Sequence, residues 1–226
     1  HLVASPDELA KVLAGILQKG GIEAKTDSGR MLYANAPLVV GMYELQVDRL
    51  TPAFIRDFKE YTSDIKFGIE FIGTALPQMR TIPVAKSIRP QHSIHTFDEV
   101  AALIQVTDGP FVILDCICRK KKRLVGETCR VTDRRETCLG IGSMAHSVLE
   151  SGIGREIDRN QALAIINANQ KEGLILQPSN TVQADFICSC CGCCCGMLSM
   201  HQSLPKPVDF WASNFFARVD RTACNG

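Results

Sequence analysis

With 226 residues, 46% hydrophobic and 22% charged, the chain reads as an ordinary globular protein with room for one or two cores. Its apolar runs are too short to span a bilayer, and a net charge of +1 gives it no general attraction for nucleic acid. No secretory signal is recognisable at His1, and the abrupt start suggests further sequence upstream.

Residues 6–18 predict a helix. Ser5 is a suitable N-cap, Pro6 fits the first turn, and Leu9, Val12, Leu13 and Ile16 form an apolar stripe. Gly20 and Gly21 end it. Residues 22–25 and 31–34, around a turn at Asp27-Ser28-Gly29, predict a β-hairpin. A helix followed by a hairpin resembles the end of a winged-helix domain. The helix carries Lys11, with Lys19 just past its end, against Asp7 and Glu8. A DNA-reading helix needs a basic face, so packing or dimerisation is the favoured use.

Residues 37–50 predict a short connection. Thr51-Pro52 starts a helix to about Tyr61, with Phe54, Phe58 and Tyr61 on one side. Residues 66–75 suit a helix or a strand equally. Pro77, Pro83 and Pro90 mark 76–95 as an extended connector, in which His92 and His95 are taken as surface residues. Thr96 and Glu99 form a capping box before Val100–Val106. Residues 111–118 predict a buried strand running into Cys116 and Cys118. Arg119, Lys120, Lys121, Lys122 and Arg123 predict a solvated loop; the functional alternative is charge balance beside an anionic cluster, or docking of an acidic redox partner. Residues 136–142 predict a turn into a helix, and His146 is assigned to packing or surface. A helix opens at Asp158 and ends at Gly173, 174–177 form a short strand, and 184–187 lead into a second cysteine run.

All eleven cysteines lie at or after Cys116: Cys116, Cys118, Cys129, Cys138, Cys188, Cys190, Cys191, Cys193, Cys194, Cys195 and Cys224. The number is odd and the placement uneven. A secreted disulfide scaffold is usually shorter and spreads its cysteines, so a reducing compartment (the cytoplasm) and a soft metal are expected. Six of the eight residues from Cys188 to Cys195 are cysteine, and the other two are the small Ser189 and Gly192. Adjacent cysteines bridge one another only under strain, whereas thiolates are the preferred ligands of zinc and iron–sulfur clusters. The earlier group, C-x-C-x10-C-x8-C, has enough thiolates for one tetrahedral metal or one [4Fe–4S] cluster, but not the paired C-x2-C knuckles of a zinc ribbon. Within the later run, Cys188, Cys191 and Cys194 are the preferred ligands pointing one way. The two groups together predict a site shared between two neighbouring strands that present cysteines at one edge.

Phe216–Asp220 followed by Cys224 resembles the first strand and first cluster cysteine of a bacterial-type ferredoxin domain, with the other three ligands of that run falling after Gly226. The chain from about residue 20 resembles bacterial 4Fe-4S ferredoxin-type iron–sulfur proteins, on Cys116-Ile-Cys-Arg119, Cys129, Thr137-Cys-Leu-Gly140 and the Cys188–Cys195 run. That resemblance implies one or two [4Fe–4S] clusters, electron transfer and a redox partner protein, with zinc as the alternative metal. It implies no defined reaction, and no hydrolase triad or phosphate loop stands out; an enzyme is expected only if the cluster itself reacts.

The expected architecture is α/β (α+β). A winged-helix-like remnant (1–50) and a helical connector (51–95) precede a small α/β cysteine-rich metal-binding domain (96–204). A linker and the start of a ferredoxin-like module (205–226) follow. The leading function is iron–sulfur electron transfer. A metal- or redox-sensing winged-helix regulator, a zinc-stapled interaction domain and a homodimer are the alternatives kept open.

Overall fold

The computed structural model describes residues 5–73, 79–81, 100–181, 183–206, 213 and 218–225. The fold is α+β, with two antiparallel sheets. Helix α1 (Pro6–Gln18) begins as its sequence requires. Ser5 Oγ accepts from the Glu8 amide at 3.3 Å, and the Glu8 carboxylate accepts from the Ser5 amide at 2.9 Å. Strands β1 (Ile22–Asp27) and β2 (Arg30–Asn35) form the expected hairpin. Its two-residue turn puts Ser28 and Gly29 at positive φ, the geometry that suits the right-handed twist of the strands.

The expected connection at 37–50 is more structured than its sequence suggests. One wide helical turn (Leu38–Met42) and one tight turn (Glu44–Gln46) bring Tyr43, Leu45 and Val47 into the core. Helix α2 (Pro52–Ser63) is capped by Thr51, whose hydroxyl accepts from the Phe54 amide at 3.1 Å. The stretch that suited helix or strand equally is helix α3 (Ile65–Ile72), begun by an Asp64 side chain that accepts from the Lys66 amide. Of the helix expected after Thr96, Val100–Val106 is α4; its cap, the 82–95 part of the connector and both of its histidines lie outside the described residues.

The main sheet has five strands in the order β5-β3-β4-β7-β6, every neighbouring pair antiparallel. They are β3 (Phe111–Asp115), β4 (Glu136–Ile141), β5 (Arg155–Ile157), β6 (Ile175–Pro178) and β7 (Phe186–Cys190). Helices α5 (Ile117–Leu124), α6 (Ser143–Glu150), α7 (Arg159–Lys171) and α8 (Gly196–Gln202) complete the chain. Three expectations are corrected here. The strand at 111 stops at Asp115, and Cys116 becomes the N-cap of α5. All five cations lie on that helix rather than in a solvated loop. Residues 136–141 form a central strand, not a turn, and the chain turns only at Gly142, where φ is +56°.

Alternation along the strands divides the core in two. Ile113, Leu139, Ile141, Leu176 and Ile187 face α4 and α7 in a core without sulfur. Val112, Leu114, Cys138, Phe186 and Cys190 face the other way, toward α6 and the Tyr43–Val47 segment. Gly140 is needed for this second layer. A Cβ there would sit 2.7 Å from Val112 Cγ1 and would force that buried side chain to move, whereas the Ala145 backbone of α6, at 3.6 Å, would be in ordinary contact.

Candidate metal centres

The sulfur-bearing face carries ten of the eleven cysteines, in two groups. In the first, the sulfurs of Cys129, Cys191, Cys193 and Cys194 all lie within 4.8 Å of one another. The second is built on the sheet. Cys116 is the N-cap of α5, just past β3, Cys138 lies on β4, Cys188 and Cys190 on β7, Cys118 in the first turn of α5, and Cys195 at the N-cap of α8. Within it Cys118, Cys190 and Cys195 fall inside 4.8 Å, and Cys116 Sγ is 3.7 Å from Cys190 Sγ. Cys138 interacts with both Cys116 and Cys188 and so closes the group.

This division corrects two expectations. The early cysteines do not form one site, because Cys129 joins the later run while Cys116, Cys118 and Cys138 stay at the sheet. Nor do Cys188, Cys191 and Cys194 point one way. In the extended part of the run, Cys188 and Cys190 keep to one face, and the turn that follows sends Cys191, Cys193 and Cys194 to the other group. The strand that leads into Cys116 and the one that bears Cys188 are not neighbours, since β4 lies between them and supplies Cys138. Sharing between distant segments does hold. Cys224 is exposed and belongs to neither group. The ferredoxin-like segment before it lies partly outside the described residues. His146 is exposed on α6, and His201, though buried, has its Nδ1 within 2.8 Å of the Met197 carbonyl oxygen.

The thiols perturb one another strongly. Cys116 is held well below its ordinary pKa by hydrogen bonds from Cys118, Cys138 and Cys190. Cys195 is lowered by Cys118, Cys188 and Cys190, with help from the Leu198 amide. The donors are raised in return: Cys118 chiefly by Cys116, Cys138 chiefly by Cys116, and Cys190 chiefly by Cys116 and Cys118. In the smaller group Cys191 is lowered to about 4, first by a hydrogen bond from Cys190. Cys194 is raised, mainly by burial. Cys116 and Cys195 in the larger group and Cys191 in the smaller are thus favoured as thiolates, each hydrogen-bonded by neighbouring thiols.

Polar groups surround the larger group, and two of them, Gln177 and Tyr43, are not singled out by the sequence, whereas Arg119 belongs to the cation run for which charge balance beside an anionic cluster is the functional alternative. Arg119 is only 3% exposed. Its guanidinium donates to Thr137 Oγ1 at 2.7 Å on β4 and to the Ser189 carbonyl at 3.0 Å on β7. Burial opposes its charge, but the negative charge of the cysteine group, Cys116 foremost, outweighs that and raises its pKa. Arg119 thus balances anionic sulfur from beneath and cannot meet a partner protein. Gln177, fully buried, pairs with Cys188 across the β6–β7 ladder and turns its amide toward Cys188 Sγ at 3.9 Å and Cys195 Sγ at 4.0 Å. Tyr43 is buried, with its ring stacked 4.2 Å from that of Phe58, and its hydroxyl has no hydrogen-bond partner among the described residues. Burial, then the charge of Cys118, keeps that hydroxyl protonated and a donor. One sequence signal could have exposed Gln177: a polar residue directly before Pro178 in an otherwise apolar strand, Ile175-Leu176-Gln177-Pro178.

No protein-family model, no curated protein and no solved structure matches the chain. Its class is therefore defined by its own chemistry. It is a cysteine-rich α+β protein with grouped thiols able to hold metal. No helix among the described residues is long and apolar enough to cross a membrane.

Proposed function

We propose that the six-thiol group at the end of the sheet holds an iron–sulfur cluster and that the protein is an electron carrier, working in the cytoplasm with a redox partner protein. The observation that carries this reading is the convergence of six thiols from four separate elements on one buried sheet face, with the buried Arg119 cation bonded to the β7 backbone beside them and the Gln177 amide turned toward two of their sulfurs. A single ion would leave several of these thiols unused and uncompensated. A polynuclear centre engages sulfurs spread over a wider space, and only three of the six fall within 4.8 Å of one another.

Cys116, Cys118, Cys138, Cys188, Cys190 and Cys195 are the ligand candidates. Such a cluster would supply one-electron redox chemistry. The chain's own residues tune it. Burial keeps water away from Cys116, Cys190 and Cys195. The Arg119 cation favours the more negative, reduced state, and the Gln177 amide and the unpartnered Tyr43 hydroxyl are donors available to sulfur. Lys120, Lys121, Lys122 and Arg123 remain the proposed docking surface for an acidic redox partner. Lys120 already binds Asp48 at 2.7 Å, and Lys122 binds Glu127 at 2.9 Å.

The test is anaerobic purification with iron and sulfide quantitation, followed by a reductive titration. Brown protein with thiolate-to-iron absorption that bleaches on reduction is expected. Colourless protein with zinc alone would overturn the proposal.

A further inference from the structure

We infer that Cys129, Cys191, Cys193 and Cys194 form a separate site for one tetrahedral metal ion of the zinc class, alongside the larger centre. The inference rests on the metal–thiolate reading of the chain, but not on which metal the larger centre holds.

Distance is the argument. The sulfur separations are 3.4 Å for Cys191–Cys193, 3.5 Å for Cys129–Cys191, 3.7 Å for Cys193–Cys194 and 3.9 Å for Cys129–Cys193. Four thiolates bound at about 2.3 Å to a single tetrahedral zinc stand roughly 3.8 Å apart along each edge. Four of the six edges thus lie within about 0.4 Å of that spacing, and all six are within 4.8 Å. A [4Fe–4S] cube instead places each thiolate on a different iron, at a different corner, and needs sulfurs much farther apart. No cube fits inside this group.

The local chain is shaped for such an ion. Three ligands come from one tight turn, closed by the Cys194 and Cys195 amides donating to the Cys191 carbonyl at 3.1 Å and 3.0 Å. Gly192 at its tip carries no side chain to compete for space. The fourth ligand, Cys129, comes from the loop after α5, and its sulfur accepts from the Val131 amide at 3.4 Å, a bond that stabilises a ligating thiolate. Lys122 holds the same turn by donating to the Cys193 carbonyl at 2.6 Å. An ion here pins the loop at 125–135 to the end of β7. It thereby fixes Cys190 and Cys195, which flank the turn and belong to the larger group. The smaller site is thus structural and positions ligands of the other.

The test is made on the whole chain, purified anaerobically. Zinc-edge X-ray absorption of the wild type should show zinc at about one equivalent, bound by four sulfurs at about 2.3 Å. Cobalt added in place of zinc should give the intense bands of a tetrahedral thiolate complex. Cys129→Ala and Cys193→Ala should each lose that equivalent while most iron and sulfide stay, and Cys190→Ala should do the reverse. If a variant fails to fold, the absorption spectrum of the wild type still decides. Zinc absent, zinc with fewer than four sulfurs, or iron and sulfide lost in step with Cys129 would each overturn the inference. A wild type with four-sulfur zinc and no iron would support it while sinking the electron-carrier reading.

Discussion

The two faces of the five-stranded sheet are made by the same strands and do opposite things. Leu139 and Cys138 are adjacent in β4, as are Ile187 and Cys188 in β7. The first of each pair packs into hydrocarbon against α4 and α7, the second into sulfur. One face is held chiefly by hydrophobic burial, with the buried Asn169 amide bonded to the Thr137 carbonyl. The other is a set of mutually perturbed thiols, with a cation and polar donors around them. Strand alternation keeps these chemistries apart, because a period of two sends neighbours to opposite sides. The apolar face therefore serves as the rigid backing on which the thiols are positioned.

Several substitutions break this comparison on one side only. The largest effect is expected from Cys190→Ser, which nearly preserves volume but removes a thiol buried at the centre of the larger group. Most of the iron should be lost, as metal and sulfide analysis will show; iron retained at the wild-type level would mean that Cys190 is a spare. Next is Leu139→Ala on the opposite face. It should cost about 2–5 kcal/mol in denaturant unfolding, because a fully buried leucine leaves a cavity. Metal content per folded chain should not change, and a parallel loss of metal would show that the two faces are not separable.

Arg119→Met comes third. It leaves the Thr137 hydroxyl and the Ser189 carbonyl without their donor, at about 1–3 kcal/mol. It also removes a buried cation, so the reduction potential should become more negative in a redox titration. Arg119→Lys should restore the charge but not both hydrogen bonds. An unchanged potential in the methionine variant would remove Arg119 from the electrostatics of the centre.

The smallest effect sits at the edge of the sulfur face. Burial raises the Glu44 carboxyl to about 7, against a hydrogen bond from the Gly41 amide that lowers it. A carboxyl raised on folding binds more protons in the folded state between its unfolded and folded pKa. Its presence therefore lowers stability as pH climbs from about 4.5 to about 7. Glu44→Gln should raise stability by about 1–2 kcal/mol at pH 8, allowing for its partial exposure, and by little at pH 4. Equal gains at both pH values would point to packing rather than charge.

Local signals made much of the fold legible. Ser5, Thr51 and Asp158 cap the helices they precede, and the turn at Ser28-Gly29 closes its hairpin. Cysteine density alone located the candidate site. The partition of its members was not legible, because it depends on tertiary placement. Cys129 is nearer in sequence to Cys138 than to Cys191, yet its sulfur is 3.5 Å from that of Cys191. Arg119 was hidden inside a run of five cations that reads as solvated, and one helical position turned it inward. Strand β4 was missed because Gly140 and Gly142 look like a turn. Gly142 is one, but Gly140 is there for close packing.

The central claim is that the cysteines are sorted into two centres of different kind. Quantifying iron, sulfide and zinc together in the anaerobically purified wild type tests it most directly. The account predicts iron and sulfide in cluster proportion together with about one four-sulfur zinc per chain. Iron and sulfide without zinc, or zinc without sulfide, would contradict it.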